Sequence, residues 1–221
     1  MRALLLAGLL LLAPAFVGPA AQAAVPDEDG FRQCEAGIAA AQAGSRIPPM
    51  LLPAIARVES GRLDARGRVR PWPWTINYRG TGTFFDTKDD AVAAVRALQA
   101  KGDDLVDVGC MQVNLHYHPA AFPTLDDAFD PLANARYAAR FLTSLEYELQ
   151  TWPLATAAYH SRMQDRGEDY SRRVYGLPPI PRGQPGTAAS PSRWPPPNAQ
   201  FAAFLPPEAM FGAFAQQPSR R

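Results

Sequence analysis

One acidic residue, Glu59, lies at the end of a segment that otherwise predicts a buried helix. Leu52, Ile55 and Glu59 fall at i, i+3 and i+7, so they share one helical face. Burial disfavours a charged carboxylate and raises its pKa, so a Glu in this position holds its proton near neutral pH and can act as a general acid. Alternatively, Glu59 is a solvated last-turn residue that pairs with a neighbouring arginine.

Helical periodicity dominates the chain around this residue. The helical segments are predicted to begin near Phe31, Pro48, Thr87, Asp130, Thr151 and Gly167. Between the second and third of them, Trp74–Tyr78 and Thr83–Phe85 are rich in β-prone residues and flank the turn sequence R-G-T-G. The pattern predicts an α+β domain that is mainly helical, with one small β-hairpin.

The first 23 residues have the features of a secretory signal peptide. One basic residue precedes an apolar run, Ala3–Ala13, and the small residues Ala21 and Ala23 flank Gln22 at an A-x-A-like cleavage site. The apolar run is too short to span a bilayer, which needs about 20 residues. We therefore expect cleavage after Ala23 and a soluble, exported mature protein without stable membrane insertion.

The composition changes after Leu177. Residues 178–221 contain 11 of the 23 prolines and show neither helical nor strand periodicity, which predicts a disordered tail beyond a folded domain at 24–177. The tail also carries apolar residues that a spacer does not require: Phe201, Phe204, Leu205, Met210, Phe211 and Phe214. It is interpreted either as a tether or as a docking segment for a partner protein.

Charge and cysteine content narrow the function classes. The 22 basic and 21 acidic residues give a net charge of +1, without the clustered Lys and Arg typical of nucleic-acid binding. The two cysteines, Cys34 and Cys110, form an even pair, which in an oxidising compartment favours a disulfide. The alternative is two separately buried thiols.

Three short motifs occur in an order that resembles the soluble, lysozyme-like (SLT-type) lytic transglycosylases. They are V-E-S-G-R at residues 58–62, G-C-M-Q-V-N at 109–114 and A-A-Y-H-S at 157–161. The resemblance covers about Phe31 to Gly176 and implies a lysozyme-like fold in the periplasm. It also implies cleavage of peptidoglycan glycan strands, with formation of a 1,6-anhydro ring on N-acetylmuramic acid and no cofactor or metal.

The resemblance assigns a role to each matching residue. Glu59 would be the single catalytic residue, first acid and then base, and Ser60 would help to orient it. Met111, Gln112 and Asn114 would line the saccharide site, and the Tyr159 hydroxyl would reach the catalytic carboxylate. In the family, enzymes of this size often serve the assembly of a flagellum or secretion apparatus, so residues 178–221 are a candidate docking segment for such a protein.

The chain departs from the family pattern at two of these motifs. Cys110 replaces the usual Leu, which suits a bridge to the first helix, and His160 replaces the usual Asn after the tyrosine, so the role of that Asn is not transferred. The predicted hairpin lies between the first two motifs. Its aromatic residues either stack on sugars or belong to a small core: Trp72, Trp74 and Tyr78.

Other functions remain as alternatives. A lysozyme-like muramidase would need a helper carboxylate, for which Asp64, Asp86 and Asp107 are candidates. A non-catalytic wall-binding assembly factor would act through its tail, although it would not need a buried Glu59. A metal site at His116, His118 and His160 is weakly indicated, because no acidic residue accompanies them in sequence.

Overall fold

The computed structural model describes residues 28–177. The predicted signal peptide and the predicted Pro-rich tail therefore lie outside the described residues. Within them, seven helices occur: α1 (Glu28–Gln42), α2 (Leu51–Glu59), α3 (Lys88–Gln99), α4 (Leu125–Ala128), α5 (Pro131–Leu149), α6 (Trp152–His160) and α7 (Gln164–Val174). The expected α+β, mainly helical class is confirmed.

The strands are more numerous than the sequence indicated. The described chain has six: β1 (Gly61–Leu63), β2 (Val69–Pro71), β3 (Thr75–Tyr78), β4 (Thr81–Phe84), β5 (Val106–Val108) and β6 (Val113–Asn114). The first two form an antiparallel pair, and the other four form a sheet in the order β4-β3-β5-β6. The predicted hairpin is β3–β4, and its register pairs Thr75 with Phe84 and Tyr78 with Thr81.

Capping residues fix the beginnings of the helices as expected. Thr87 accepts a hydrogen bond from the backbone N–H of Asp90 at the start of α3, and Asp130 accepts one from Ala133 at the start of α5. Helix α2 begins at Leu51, so Pro53 lies in the first turn, where a backbone N–H has no helical partner. The helix that presents Glu59 therefore tolerates its proline.

The main core joins helices α1, α2, α5, α6 and α7. Its fully buried side chains include Ile38, Leu52, Ile55, Leu142 and Leu145. Leu52 and Ile55 bury the apolar face of α2 in this core, as their spacing predicted. The same face carries Glu59 one turn later, which brings a carboxyl group to the edge of the core.

A disulfide connects this core to the sheet region. Cys34 of α1 and Cys110 in the turn after β5 are bonded, with their Cα atoms 5.8 Å apart. The predicted disulfide is thus present. It closes a loop of 76 residues that contains α2, all of the first five strands and α3.

A smaller core lies between α3 and the four-stranded sheet. Ile76, Val92, Val95, Val106 and Val108 pack there with Phe129. Helix α3 thereby supports β3 and β5 from behind, and β5 runs directly into the disulfide-bonded turn. The small sheet is consequently held at a fixed distance from the helical core.

No helix among residues 28–177 is both long and apolar enough to cross a membrane.

Removing the disulfide should lower the stability of the domain substantially. A closed loop of this length restricts the unfolded chain, so the Cys34→Ala, Cys110→Ala double variant should lose about 2–4 kcal/mol of unfolding free energy. Urea denaturation of the oxidised protein, the reduced protein and the variant measures this loss. An unchanged urea midpoint after reduction would contradict the expectation.

Candidate active site

Glu59 is the last residue of α2 and lines a cleft of about 330 Å³. Asn77, Leu105 and Asp107 line the cleft from the sheet side, and Tyr159 and His160 line it from the end of α6. The cleft therefore lies between the small sheet and the helical core. This is the open space over a helix end that a general acid requires.

The pKa of Glu59 is raised from its ordinary value of 4.5 to about 7. Desolvation by burial is the main cause, and the charge of nearby Asp107 adds to it. The Tyr170 hydroxyl and the charge of Arg173 act in the opposite direction. Because the pKa lies close to neutrality, the carboxyl group can hold a proton at pH 7 and also release it readily.

Tyr170 is the tyrosine that stabilises the Glu59 carboxylate. Its side chain is 1% exposed, and its hydroxyl has no hydrogen-bond partner of ordinary geometry within residues 28–177, but it lies near enough to Glu59 to lower the pKa of that carboxyl group. Burial and the charge of Glu59 raise the pKa of the Tyr170 hydroxyl well above its usual value, which keeps it protonated. It is therefore placed to donate when the carboxylate is formed.

His160 supports this tyrosine from the side. Its imidazole stacks on the Tyr170 ring, with centroids 4.6 Å apart and planes 8° apart. Arg173 lies over the same ring at 5.6 Å from the centroid. Burial, Arg173 and Arg166 lower the pKa of His160, which favours the neutral imidazole. The residue that replaces the usual Asn thus packs against Tyr170.

Asp107 is a second carboxyl group in the cleft. Burial raises the pKa of Asp107 from 3.8 to about 6, and a hydrogen bond from the Asn114 amide, 2.7 Å long, lowers it in part. The charges of Asp107 and Glu59 interact, because Asp107 contributes to the raised pKa of Glu59. Of the three candidate helper carboxylates, this is the one that shares the cleft with Glu59.

The two other helper candidates are engaged elsewhere. Asp64 accepts hydrogen bonds from the backbone N–H groups of Arg66 and Arg68 in the β1–β2 turn, and Asp86 is exposed and pairs with Arg62. Neither lines the cleft. Asp107 therefore alone retains the helper role considered from the sequence.

Gln112 lines the cleft in a strained backbone conformation. Its φ of 48° lies in the left-handed region, which is uncommon for a residue with a side chain. Its amide nitrogen donates to the carbonyl oxygens of Gly109, at 2.9 Å, and Thr75, at 3.1 Å. The side chain thereby fixes its own turn and leaves the amide oxygen as the atom able to accept a hydrogen bond from a sugar.

Ser60 and Met111 do not line the cleft, contrary to the expectation that they bind substrate. Both are fully buried. The Ser60 hydroxyl donates to the carbonyl oxygen of Cys110 at 2.7 Å, which ties the end of α2 to the disulfide-bonded turn. Ser60 therefore orients Glu59 through the backbone, as the resemblance implied, whereas the Met111 side chain belongs to the core.

Asn114 and Tyr159 do line the cleft, but their polar groups bind protein atoms. The Asn114 oxygen accepts from two backbone N–H groups, and its amide nitrogen donates to Asp107. The Tyr159 hydroxyl donates to the carbonyl oxygen of Met111 at 2.8 Å, and not to Glu59 as expected. The charge of Glu59 nevertheless raises the pKa of the Tyr159 hydroxyl, so this tyrosine lies near the carboxyl group, and Tyr170 is a second tyrosine beside it.

The aromatic residues of the small sheet belong to its structure. Trp72 is fully buried, donates from its indole to the carbonyl oxygen of Phe85 and lies under the Arg62 guanidinium. The Tyr78 hydroxyl donates to Asp103. Trp72, Trp74 and Tyr78 are absent from the cleft lining; Trp74 and Tyr78 pack against the small core, whereas Trp72 packs against Phe31 of α1.

Each of the three histidines contacts a different residue. His116 contacts Asp104, His118 shares a hydrogen bond of 2.6 Å with the Tyr137 hydroxyl, and His160 stacks on Tyr170. Burial lowers the pKa of His118 to about 4, so it stays neutral. In the part of the chain that the structure describes, no group of three or more His, Cys, Asp or Glu side chains could hold a metal ion.

The mainly helical α+β fold thus surrounds a polar cleft that contains a carboxyl group with a raised pKa, an arrangement that suits the lysozyme-like class of enzymes. The comparison with family models agrees: residues 37–172 match the Transglycosylase SLT domain. The chain belongs to this family, and the membership supports lytic transglycosylase activity on peptidoglycan. No curated protein and no solved structure matches the chain significantly.

Tyr170 and His118 were not predicted as site residues. Gly167, Tyr170 and Val174 have the i, i+3, i+7 spacing of a buried helical face, which indicates that the tyrosine is inside but not what it contacts. His118 lies in a loop without periodicity. Both contacts depend on how α7 and α5 pack against the cleft.

Replacing Tyr170 by Phe should shift the pH dependence of activity. The first step needs protonated Glu59, so activity of the natural enzyme should fall as pH rises through about 7. The Tyr170 hydroxyl lowers the Glu59 pKa, so Tyr170→Phe should move this fall to higher pH and reduce kcat about tenfold or more. Profiles of kcat against pH measure both effects.

The matched control is Tyr159→Phe, which also removes one buried tyrosine hydroxyl. Because that hydroxyl donates to the Met111 carbonyl, its loss should reduce the free energy of unfolding by about 1–3 kcal/mol. It should not move the loss of activity to higher pH. A profile of Tyr170→Phe that coincides with that of the natural enzyme would refute the assigned role.

Proposed function

We propose that the chain cleaves the β-1,4 bond between N-acetylmuramic acid and N-acetylglucosamine in peptidoglycan and forms 1,6-anhydro-muramic acid. The observation that carries the proposal is the Glu59 carboxyl group, which lines the cleft with a pKa near 7. In the proposed reaction one group acts first as acid and then as base, and a pKa near the working pH suits both roles.

In the first step Glu59 donates its proton to the glycosidic oxygen. The bond between that oxygen and C1 of the muramic acid breaks, and the N-acetylglucosamine part leaves as an alcohol. The N-acetyl group of the muramic acid supports the positive charge that develops at C1. The Glu59 carboxylate is stabilised by the Tyr170 hydroxyl and the positive charge of Arg173.

In the second step the C6 hydroxyl of the same muramic acid attacks C1. Its proton passes to the Glu59 carboxylate, a bond forms between O6 and C1, and the carboxyl group returns to its starting state. No water is consumed, so the products together have the mass of the substrate. The step requires a base whose conjugate acid has a pKa near 7, which Glu59 provides.

A muramidase is the second candidate, and Asp107 is the observation that favours it. Burial raises the pKa of Asp107 to about 6 and that of Glu59 to about 7, and the two groups interact. A pair of interacting carboxyl groups can share one proton, which is the arrangement used by hydrolases with two carboxylates. The single catalytic Glu is supported by the family pattern, so transglycosylation is preferred.

Mass spectrometry of fragments released from purified peptidoglycan tests the proposal. The natural protein should release muramic acid fragments one water lighter than hydrolysis products, and Glu59→Gln should release them at least about a thousandfold more slowly. The matched control is Glu146→Gln, which neutralises a partly buried glutamate that pairs with Arg46 outside the cleft.

The Asp107→Asn variant separates the two mechanisms. Under the proposed reaction it should still form anhydro products, with the Glu59 pKa lowered because a neighbouring negative charge is removed. A muramidase would instead release reducing-end fragments that incorporate oxygen from labelled water and would lose them in Asp107→Asn. That second pattern would replace the proposal.

Export to the periplasm is part of the proposal, because the substrate lies outside the cytoplasm. The support is the signal-like segment that ends in A-Q-A at residues 21–23. The protein recovered from a periplasmic fraction should begin at Ala24. A mass that includes the first 23 residues would contradict export by this route.

We also propose that residues 178–221 recruit the enzyme to an assembly apparatus such as a flagellum or secretion system. The support is the set of apolar residues among the prolines, which includes Phe201, Phe204 and Phe211. A pull-down with residues 178–221 should capture a component of such an apparatus, and replacement of these three by Ser should abolish the capture. Equal capture by both would count against the proposal.

A further inference from the structure

A second cavity of about 550 Å³ lies beside the cleft, on the outer face of α5. Tyr137, Arg140, Phe141 and Tyr147 of α5 line it, and Ala41 and Ser45 at the end of α1 close its other side. We call this cavity the α5 groove. None of the sequence motifs lies in it, and neither Glu59 nor Asp107 reaches it.

The α5 groove adjoins the catalytic cleft. Tyr137 and Phe141 line both cavities. On the cleft side, the Tyr137 hydroxyl is bonded to His118 at 2.6 Å, and the Phe141 ring packs edge-on against the same imidazole, with centroids 4.7 Å apart. A ligand longer than the cleft can therefore pass over these two rings without leaving the protein surface.

The aromatic residues of the groove suit a sugar chain. Tyr137 and Phe141 are one helical turn apart, about 5–6 Å along the axis, and Tyr147 follows about 9 Å further on. Tyr147 is 54% exposed. The apolar faces of sugar rings pack on aromatic rings, while the hydroxyl groups remain in water.

Two arginines give the groove a positive charge. Arg136 and Arg140 line it, are exposed and form no ion pair within residues 28–177. Arg140 lies over the Tyr137 ring at 5.6 Å from its centroid, so its guanidinium is held beside the aromatic surface. Guanidinium groups bind carboxylates through paired hydrogen bonds. The peptide stems of peptidoglycan carry such carboxylates, and converting them to amides removes the negative charge without removing the stems.

We propose that the α5 groove binds the part of a peptidoglycan strand that extends beyond the cleft, with sugar rings on Tyr137 and Tyr147 and a peptide-stem carboxylate at Arg136 and Arg140. The inference rests on the proposed function, because it takes peptidoglycan as the ligand in the cleft. It makes the enzyme selective for long strands that carry peptides.

Binding to soluble, uncrosslinked strands tests the proposal. The strands are used with their peptide stems unchanged and with the carboxylates of the stems converted to amides, and Glu59→Gln serves as background so that they are not cut. Addition of Arg136→Gln and Arg140→Gln should weaken binding to unmodified strands about fivefold and to amidated strands less than about twofold. Tyr147→Ala should weaken binding to both.

The matched control removes the same charge elsewhere. Arg66 and Lys101 are exposed and line neither cavity, so Arg66→Gln with Lys101→Gln should leave both affinities unchanged. Equal weakening for both kinds of strand in the Arg136, Arg140 variant, or none, would overturn the proposal. A groove that serves a partner protein or residues 178–221 would give the latter result.

The outcome is independent of the reaction type. Release of anhydro fragments is measured on the natural protein, whereas strand binding is measured on the inactive background. A protein that binds strands through Arg136 and Arg140 but releases reducing-end fragments would retain the groove and lose the transglycosylase proposal. Thermal unfolding of each variant confirms that it is folded before binding is compared.

Discussion

The structure depends on the attachment of one tight turn, residues 108–112, to the helical core. Four helices hold it through the Cys34–Cys110 disulfide and through hydrogen bonds that involve Ser60, Asn134 and Tyr159. Gly109 adopts a φ of 80°, and a Cβ there would lie 2.5 Å from the Asn134 amide nitrogen, so a side chain has no space. Because β5 and β6 flank this turn, its attachment sets the width of the cleft between sheet and helices.

This arrangement explains why several motif residues hold the site without contacting the substrate. Ser60 connects Glu59 to the turn, Tyr159 fixes the Met111 carbonyl, and Asn114 holds the Asp107 carboxyl group. A carboxyl group with a useful pKa must be partly desolvated, and desolvation is reproducible only where the surrounding backbone cannot move. We therefore interpret most residues of the short motifs as residues that hold Glu59 and its surroundings in place, and not as a substrate-binding surface.

The parts of the fold that could be predicted from the sequence are the local ones. Thr87 and Asp130 predict the beginnings of their helices because the side chain of each accepts a hydrogen bond from the backbone N–H three residues later. The position of Glu59 could be predicted because its helix is amphipathic. Strand β5 was missed because it pairs with the distant β3, and β6 was missed with it because β6 pairs with β5. The short local pair β1–β2 was missed as well. Tyr170 was missed for the same reason: it reaches Glu59 through the packing of α7 against α2, 111 positions along the chain. The acid role of Glu59 could be proposed from the sequence, whereas its neighbour Tyr170 could not be predicted.

Holding a carboxyl group in this state has a cost in stability. A rise in pKa from 4.5 to about 7 corresponds to about 3 kcal/mol between the protonated and charged forms. The folded state binds the proton more tightly than the unfolded chain, so this contribution is complete below about pH 4.5 and is lost as pH rises through about 7. At neutral pH the domain thus gives up stability in the range where Glu59 must change its protonation state. The disulfide, which restricts the unfolded chain by an amount of similar size, offsets this loss. The disulfide and Glu59 are connected through the same turn, because the hydroxyl of Ser60, the residue after Glu59, donates to the carbonyl oxygen of Cys110.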